Sequence, residues 1–505
     1  MKDKEIEIFL LRIKKRPLLF YLILPFIFKV FSHKLKRKYG ANIVNTIRFP
    51  IDRIDSILEL NPLDFINKYE VCDLKSNYHF EQNTEINKKD EQYVHYLHRL
   101  NHIVFIHEKQ IDKTCKIIEK WIEDNPISKN AAWHPYNVSE RIVNFSIFLS
   151  RFSENLNDAH KQSILNSLFD QSEFLYLNFE HHLGHHNHLI NNSRALLYAS
   201  AIFRNHAIAK KWQVKAFDVI RSETNYQFLE DGVHAEQSSI YHLLLTRTYW
   251  ELKQLYNILN EPFSFDEQLN KMVRYFDWVV RENQTIPFLG HITPDIHWKE
   301  LVGFRAVIIN NKKINKTAYS NLFKPDFILE QEEFKAIKLF SKAGVGILKI
   351  NHAEIFLSND PRCQIINHGD QNQLGLDISW HNTHIVRDTG LDSYNMNDNR
   401  NWFESWEGQS CCVINSINPI VSDWRRRQLP ASHYKAKATI ESNNINTIKA
   451  THDCYNRIGS FITLSRQVTI KENKILISDT VQQNKSTVYN AVFHFGDNTV
   501  TQINQ

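Results

Sequence analysis

The hydrophobic period of this chain changes once, between about residues 320 and 345, and that change limits what it can fold into. Upstream, from 55 to 310, apolar residues recur every three and four positions. The segments lie near 91–107, 110–123, 138–152, 160–180, 188–209, 211–229, 238–259 and 267–282. Breaks such as Asp124-Asn125-Pro126, Asn260-Glu261-Pro262 and Gly290 separate them. Successive helices with short connections pack as antiparallel hairpins, and pairs at this spacing suit a toroid or partial toroid. Downstream, the segments 347–350, 354–357, 375–380, 384–387, 412–415, 461–464, 467–470 and 474–478 are short, β-branched and often alternating, with turn residues between them. They predict an antiparallel β domain, most simply a sandwich. The expected fold is thus multidomain, α then β: an N-terminal α/α toroid (an incomplete helical barrel) followed by an antiparallel β-sandwich. The expected boundaries are 1–40 for an N-terminal helical segment, 41–325 for the toroid and 326–505 for the sandwich. The strand-like 492–495 lies so near Gln505 that a sandwich of this size is expected to run further.

Residues 1–40 stand apart. Lys14, Lys15 and Arg16 precede an apolar run over 17–28, and Lys34, Lys36, Arg37 and Lys38 follow it. The run is shorter than the ~20 residues a spanning helix needs. Asp3, Glu5 and Glu7, with no alanine before Ala41, spoil it as a secretion signal. Basic flanks on an apolar helix fit a membrane-surface contact through residues 10–40; a helix packed on the domain accounts for them equally. A cytoplasmic or inner-membrane-associated protein is expected, with a periplasmic one as the alternative. The formal charge of +5 on 505 residues is too small for the basic stripe of a nucleic-acid binder. Cys72, Cys115, Cys363, Cys411, Cys412 and Cys454 have no framework spacing and are expected to be free thiols.

Four clusters carry candidate chemistry. The first is His182-Leu183-Gly184-His185-His186-Asn187-His188, with Asn191 and Asn192, opening the apolar helix Ala195–Phe203. Amides and imidazoles at the start of a core helix are costly to bury without partners, so they suggest a polar, anionic ligand; a capped helix start is the plainer reading. The second is Asp231-Gly232 with Glu236 and Tyr241-His242, a turn running into a helix. The third is His368-Gly369-Asp370 with Asp388-Thr389-Gly390, whose acids and imidazole could ligate a divalent ion or only make turns. The fourth is Trp133-His134-Pro135-Tyr136 with Glu140-Arg141, aromatic platforms and a cation at a helix start. The histidine pairs 181/185 and 182/186 have helical spacing, but Gly184 interrupts them and no HExxH occurs, so a helix-borne zinc site is not expected.

In this order, from Trp133 to Asn415, these motifs resemble the heparinase II/III family of polysaccharide lyases. The resemblance implies the toroid-plus-sandwich fold and β-elimination at a uronic acid. It implies Asn187 as the amide that neutralises the substrate carboxylate, with His188 and His368 assisting. It implies Tyr241 as the acid, and as the base too when proton and leaving group depart from one face. Trp133, Tyr136 and Arg141 would line the cleft, and Asn192 and Glu236 are counted with the substrate-binding residues. The implied partner is an anionic polysaccharide, and no cofactor is required. In relatives a structural zinc is held by an aspartate, here Asp388, and by histidines where this chain has Asp370 and Gln409. Asp370 could still ligate, but Gln409 is a poor ligand, so zinc is not expected.

Two other readings stay open. One is a hydrolase on a similar toroid, with Asp231 and Glu236 or Glu140 as acid and base. The other is a non-catalytic glycan-binding or capsule-assembly protein.

Overall fold

The structure, a computed structural model, describes residues 95–496 apart from 96, 107, 129, 293–300, 303–335, 392–393, 395–397, 421–435, 459–460, 473 and 485. The N-terminal segment 1–40, its membrane contact through 10–40, Cys72 and the expected boundary near 325 lie outside the described residues. Among the described residues no helix is long and apolar enough to cross a membrane.

The helical part holds α1 (Ile111–Asp124), α2 (Pro135–Phe152), α3 (Asp158–Leu177), α4 (Asn187–Ile202), α5 (Ala207–Gln227), α6 (Ser239–Ile258) and α7 (Asp266–Val279). Helix α4 is the hub and packs on α2, α3, α5 and α6. It is buried on every face from Leu189 to Ile202, with the polar Asn192 and Arg194 paired to Glu180 and Glu251 inside the helical core. Several helix starts are set by imidazoles. His134, ahead of Pro135, accepts the Tyr136 N–H at its Nδ1 (3.3 Å), and His186 accepts the His188 N–H (3.1 Å). His206 does the same for Ile208 (3.2 Å), which ends α4 at Ile202 and splits the expected 188–209 segment.

The β part has a five-stranded antiparallel sheet in the order β1 (Ile337–Phe340), β2 (Val345–Ile350), β3 (Ala353–Ser358), β4 (Gly375–Trp380), β5 (Thr383–Val386). After a short helix, α8 (Asp398–Glu404), and β6 (Cys412–Ile414) comes a second sheet. It contains β7 (Ala438–Asn444), β8 (Thr447–His452), β9 (Ile462–Lys471) and β10 (Lys474–Gln483), in the order β10-β9-β8-β7. Strand β11 (Tyr489–Ala491) pairs with β6. Leu348, Ile355, Leu357 and Leu376 of the first sheet share one core with Ile448, Leu464, Val468 and Ile470 of the second, which makes the sandwich. The first sheet's other face contributes Phe340, Val345, Ile347 and Phe356 to the helical core. It is therefore the middle layer, buried on both sides.

Two expected strands, 461–464 and 467–470, are one strand, β9. The alternation Ile462, Leu464, Val468, Ile470 continues through Arg466, which occupies an inward position and reads as a break. Its guanidinium is fully buried but paired with Asp479 (2.8 and 2.9 Å), so the strand carries it through. Strands β1, β7, β8 and β11 lie outside the expected segments, and the strand-like 492–495 holds only an isolated bridge from Phe495 to Val386. The five cysteines described are free and buried, as the spacing predicted.

Helical and β parts are bolted together beneath the site. Arg281, just after α7, forms a fully buried ion pair with Asp377 of β4, whose second oxygen accepts the Phe288 N–H (3.1 Å). Lys349 donates to the Val280 carbonyl (2.9 Å).

Candidate active site

The first turn of α4 and the start of α6 converge on a loop from the sandwich. Asn187, the first residue of α4, is buried and donates twice to Glu236: from its backbone N–H to Oε1 (2.7 Å) and from Nδ2 to Oε2 (3.1 Å). Its Nδ2 also lies 3.3 Å from His368 Nε2, and the same imidazole nitrogen is 3.2 Å from Glu236 Oε2. Tyr241, in the first turn of α6, stacks on the His368 ring with centroids 3.6 Å apart and planes 7° from parallel. Its hydroxyl is 2.7 Å from that of Tyr394, which is 3.2 Å from His368 Nδ1.

The loop carrying His368 is held from the helical side. Gln237 accepts the Ile366 N–H at its side-chain oxygen (3.1 Å) and donates to the Gln364 carbonyl (2.9 Å). His291 donates its backbone N–H to the His368 carbonyl (2.8 Å), and its own carbonyl accepts the Ser238 hydroxyl (2.8 Å). Gly290 makes this crossing possible. It has φ +68°, and a Cβ there would lie 2.5 Å from the Gln237 carbonyl oxygen and 2.6 Å from that of His368.

Burial, reinforced by His291 and His188, pushes the His368 imidazole well below its ordinary pKa, so the ring is neutral near pH 7. Burial pushes the Glu236 carboxyl up, against the pull of the two Asn187 hydrogen bonds. The site therefore pairs a neutral imidazole with a carboxylate that accepts a proton more readily than usual.

His188 sits one residue further along α4, and its Nδ1 is 3.0 Å from Glu180 Oε1. Glu180 is fully buried. Burial raises its pKa, but the His188 and His134 rings outweigh it and hold the carboxyl down to about 2. Asn192 locks Glu180 from behind, donating to its Oε2 (3.2 Å) and accepting its backbone N–H (3.2 Å). The Tyr136 ring lies 4.5 Å from that of His188, and the Arg99 guanidinium lies over the Tyr136 ring, 4.9 Å from its centroid.

Asn187, Tyr241 and His368 thus form one cluster, with His188 and Tyr136 on the adjoining wall. Four residues expected in the cleft are buried and have partners within the protein. Arg141 is fully buried; it donates to Gln171 (2.7 Å) and the His98 carbonyl (2.7 Å) and lies over Trp121, so it braces the helices rather than meeting a ligand. Trp133 is buried, its indole N–H on the Asn125 carbonyl (3.0 Å). Asn192 and Glu236 are also buried, Asn192 against Glu180 and Glu236 against Asn187 and His368. Asp231 and Glu236 do not face a common gap, because Asp231 accepts the N–H groups of Lys342 (2.9 Å) and Ala343 (3.0 Å).

The metal candidates have protein partners of their own. Asp370 faces His291 Nε2 (3.1 Å), which also lies 3.3 Å from Glu404. Asp388 accepts the Thr389 N–H (2.7 Å), and the Gln409 amide donates to the Phe403 carbonyl (2.7 Å). Among the described residues no group of three or more His, Cys, Asp or Glu side chains is placed to hold a metal ion.

Sequence reasoning missed Tyr394, Glu180 and His291. Tyr394 lies in a loop with no periodicity, and Glu180 lies between helices. His291 follows a glycine that reads only as a break, although a positive-φ glycine at a crossing is the signal that could have pointed to it.

Sequence profiles and solved structures place this arrangement among known proteins. The profile of the heparinase II/III N-terminus matches residues 85–296, and the heparinase II/III-like C-terminal profile matches 334–504. A heparin-sulfate lyase of Bacteroides thetaiotaomicron is 28% identical over 184 residues, 34% of this chain and 26% of that protein. One from Bacteroides stercoris is 24% identical over 252 residues, 46% of this chain and 34% of that protein. The chain thus aligns with about a quarter to a third of the length of these relatives. A crystal structure of heparinase III has a TM-score of 0.65 at 18% identity, covering 93% of this chain and 77% of that one. A heparan sulfate lyase from Pedobacter heparinus has a TM-score of 0.51 at 18% identity, covering 79% and 63%. These structures share the α/α toroid and β-sandwich fold.

Proposed function

The chain belongs to the heparinase II/III family, and from that premise we propose that it is a polysaccharide lyase cleaving a uronic-acid-containing glycan by β-elimination. The observation that carries this reading is the convergence of Asn187, His368 and Tyr241 from two domains on one point. The C5 proton of a uronate is weakly acidic because the adjacent carboxylate resists a second negative charge. Catalysis needs donors aimed at that carboxylate as the enolate develops. The Asn187 amide, fixed by Glu236, supplies a hydrogen bond there, and the neutral His368 imidazole assists from beside it, stacked on Tyr241. Tyr241 is the acid–base group: as a phenolate its oxygen takes the C5 proton and then passes it to the departing O4 when both leave from one face. His188, oriented by Glu180, is the base for the opposite epimer, with Tyr241 then only the acid. Tyr136 and Arg99 border the cleft beside His188, and Arg99 provides a cation for substrate carboxylates or sulfates. The chemistry requires no cofactor. The substrate is an anionic polysaccharide, for which the heparin-sulfate lyases among the relatives make heparan sulfate the first choice.

Product chemistry tests this. Mass spectrometry of digests should find oligosaccharides ending in a 4,5-unsaturated uronate. Saturated products with new reducing ends would establish hydrolysis instead, and intact glycan recovered in a stable complex would establish a binding protein.

A further inference from the structure

Tyr394 is not accounted for by the three-residue cluster, yet its hydroxyl sits between two of that cluster's members. It is 2.7 Å from the Tyr241 hydroxyl and 3.2 Å from His368 Nδ1. On the far side of the same imidazole, Nε2 is 3.2 Å from Glu236 Oε2. Four side chains therefore form one unbroken chain of hydrogen-bond distances, from the cleft to a carboxylate that is 1% exposed.

On the footing of the lyase reading, we propose that Tyr394 is a positioning residue that passes the Tyr241 phenol proton through His368 to Glu236, making Tyr241 a base when substrate is bound. In the resting arrangement Tyr241 donates to the Tyr394 oxygen, Tyr394 donates to His368 Nδ1, and His368 Nε2–H donates to the Glu236 carboxylate. Each proton then moves one place. Tyr241 gives its proton to Tyr394, Tyr394 gives its own to Nδ1, and Nε2 gives its own to Glu236. Tyr241 becomes a phenolate, Glu236 a carboxylic acid, and His368 remains neutral in its other tautomer, so protons and charge balance. The phenolate takes the C5 proton. The C5–H pair becomes the C4=C5 bond, and the C4–O4 pair leaves on O4, which receives its proton from Tyr241. The reverse shift along the chain restores the Tyr241 phenol and the Glu236 carboxylate; the proton taken from C5 ends on O4, and none is exchanged with solvent.

Two independent features suit this route. Burial keeps His368 neutral, as a relay through both ring nitrogens requires, and burial raises the proton affinity of Glu236. The charged or titratable groups around the chain are His291, His188, His234 and His186 about His368, and Arg400 over the Tyr394 ring (5.5 Å). A purely structural Tyr394 would explain the ring packing but not the two hydroxyl distances.

The test reads Tyr241 directly. With Tyr241 replaced by 3-fluorotyrosine in the full chain, its fluorine resonance is titrated with pH in the absence of glycan, with Tyr394 intact and in Tyr394→Phe. Loss of the Tyr394 donor should raise the titration midpoint by about one pH unit, roughly tenfold in acidity. Superimposable curves would overturn the relay. The kcat pH profile of Tyr394→Phe should shift its acid limb upward in step, with KM within about threefold and kcat down about 10²-fold. Should Tyr394→Phe not fold, 3-fluorotyrosine at position 394 keeps the hydroxyl and the packing. As a stronger donor it should shift the kcat limb toward acid, and an unshifted limb would overturn the proposal. The fluorine titration needs no turnover, so absence of elimination would contradict the lyase reading and leave the hydrogen-bond chain to be judged separately.

Discussion

Tyr241 and His368 lie face to face, 3.6 Å between ring centroids, although one is carried by the toroid and the other by the sandwich. The site therefore exists only while the two parts stay docked. The Arg281–Asp377 ion pair beneath it is fully buried. Removing one partner of such a pair leaves an uncompensated charge and costs about 3–5 kcal/mol. Arg281→Met should lower thermal stability by that order and reduce activity in parallel. The double variant Arg281→Met/Asp377→Leu should recover most of the stability, as measured by denaturant unfolding.

Much of this was legible in the sequence. The change from helical to alternating period gave two domain types, and the polar residues opening α4 marked Asn187 and His188. What was not legible depends on contacts between distant segments. Arg141 looks like a cleft cation beside Trp133 and Tyr136, and only the packing shows its guanidinium spent on Gln171 and His98. Glu236 looks like a ligand-facing acid in a polar run, but the fold turns it inward onto Asn187. Arg466 interrupts a strand pattern because its partner Asp479 lies on the neighbouring strand. Tyr394 had no local signal, since its role depends on two residues more than twenty positions away.

Gly290 threads a loop between the start of α6 and the His368 loop, with no room for a side chain. Gly290→Ala must displace the Gln237 or His368 carbonyl and adopt a left-handed φ, a strain of order 1–3 kcal/mol. Its effect should fall on kcat more than on global stability, because Tyr241 and His368 separate. Steady-state kinetics beside a thermal melt would show this; a melt shift with unchanged kcat would contradict it.

Glu236 holds Asn187 in place and ends the hydrogen-bond chain from Tyr241. Glu236→Gln keeps the shape but accepts neither a proton nor both Asn187 bonds. We expect kcat to fall by about 10²-fold, with a smaller change in KM. A variant with unchanged kcat would remove Glu236 from the mechanism.

His242 is held neutral in one tautomer, its Nε2–H on the Met272 carbonyl (2.9 Å) and its Nδ1 accepting the His234 N–H (3.2 Å). Burial lowers its pKa from 6.5 to about 4. The folded state therefore disfavours protonation. The associated stability is complete above about pH 6.5 and is lost as pH falls toward 4, by at most about 3 kcal/mol. Denaturant unfolding between pH 7 and 4 should show this slope, and His242→Gln should flatten part of it.

Gln409 stands where the resemblance places a zinc-binding histidine, and its amide donates to the Phe403 carbonyl (2.7 Å); we propose that the protein works without a metal ion. Exhaustive chelation should leave the melting temperature and turnover unchanged. Loss of both, restored by zinc, would contradict the proposal.

The most direct test is ultraviolet absorbance during incubation with a panel of uronate polysaccharides: heparan sulfate, heparin, hyaluronan, alginate and bacterial capsules. The account predicts a rising signal from the C4=C5 bond on at least one of them, and its loss in a folded Tyr241→Phe variant. A rise that persists undiminished in Tyr241→Phe, or saturated products formed with no rise, would contradict it.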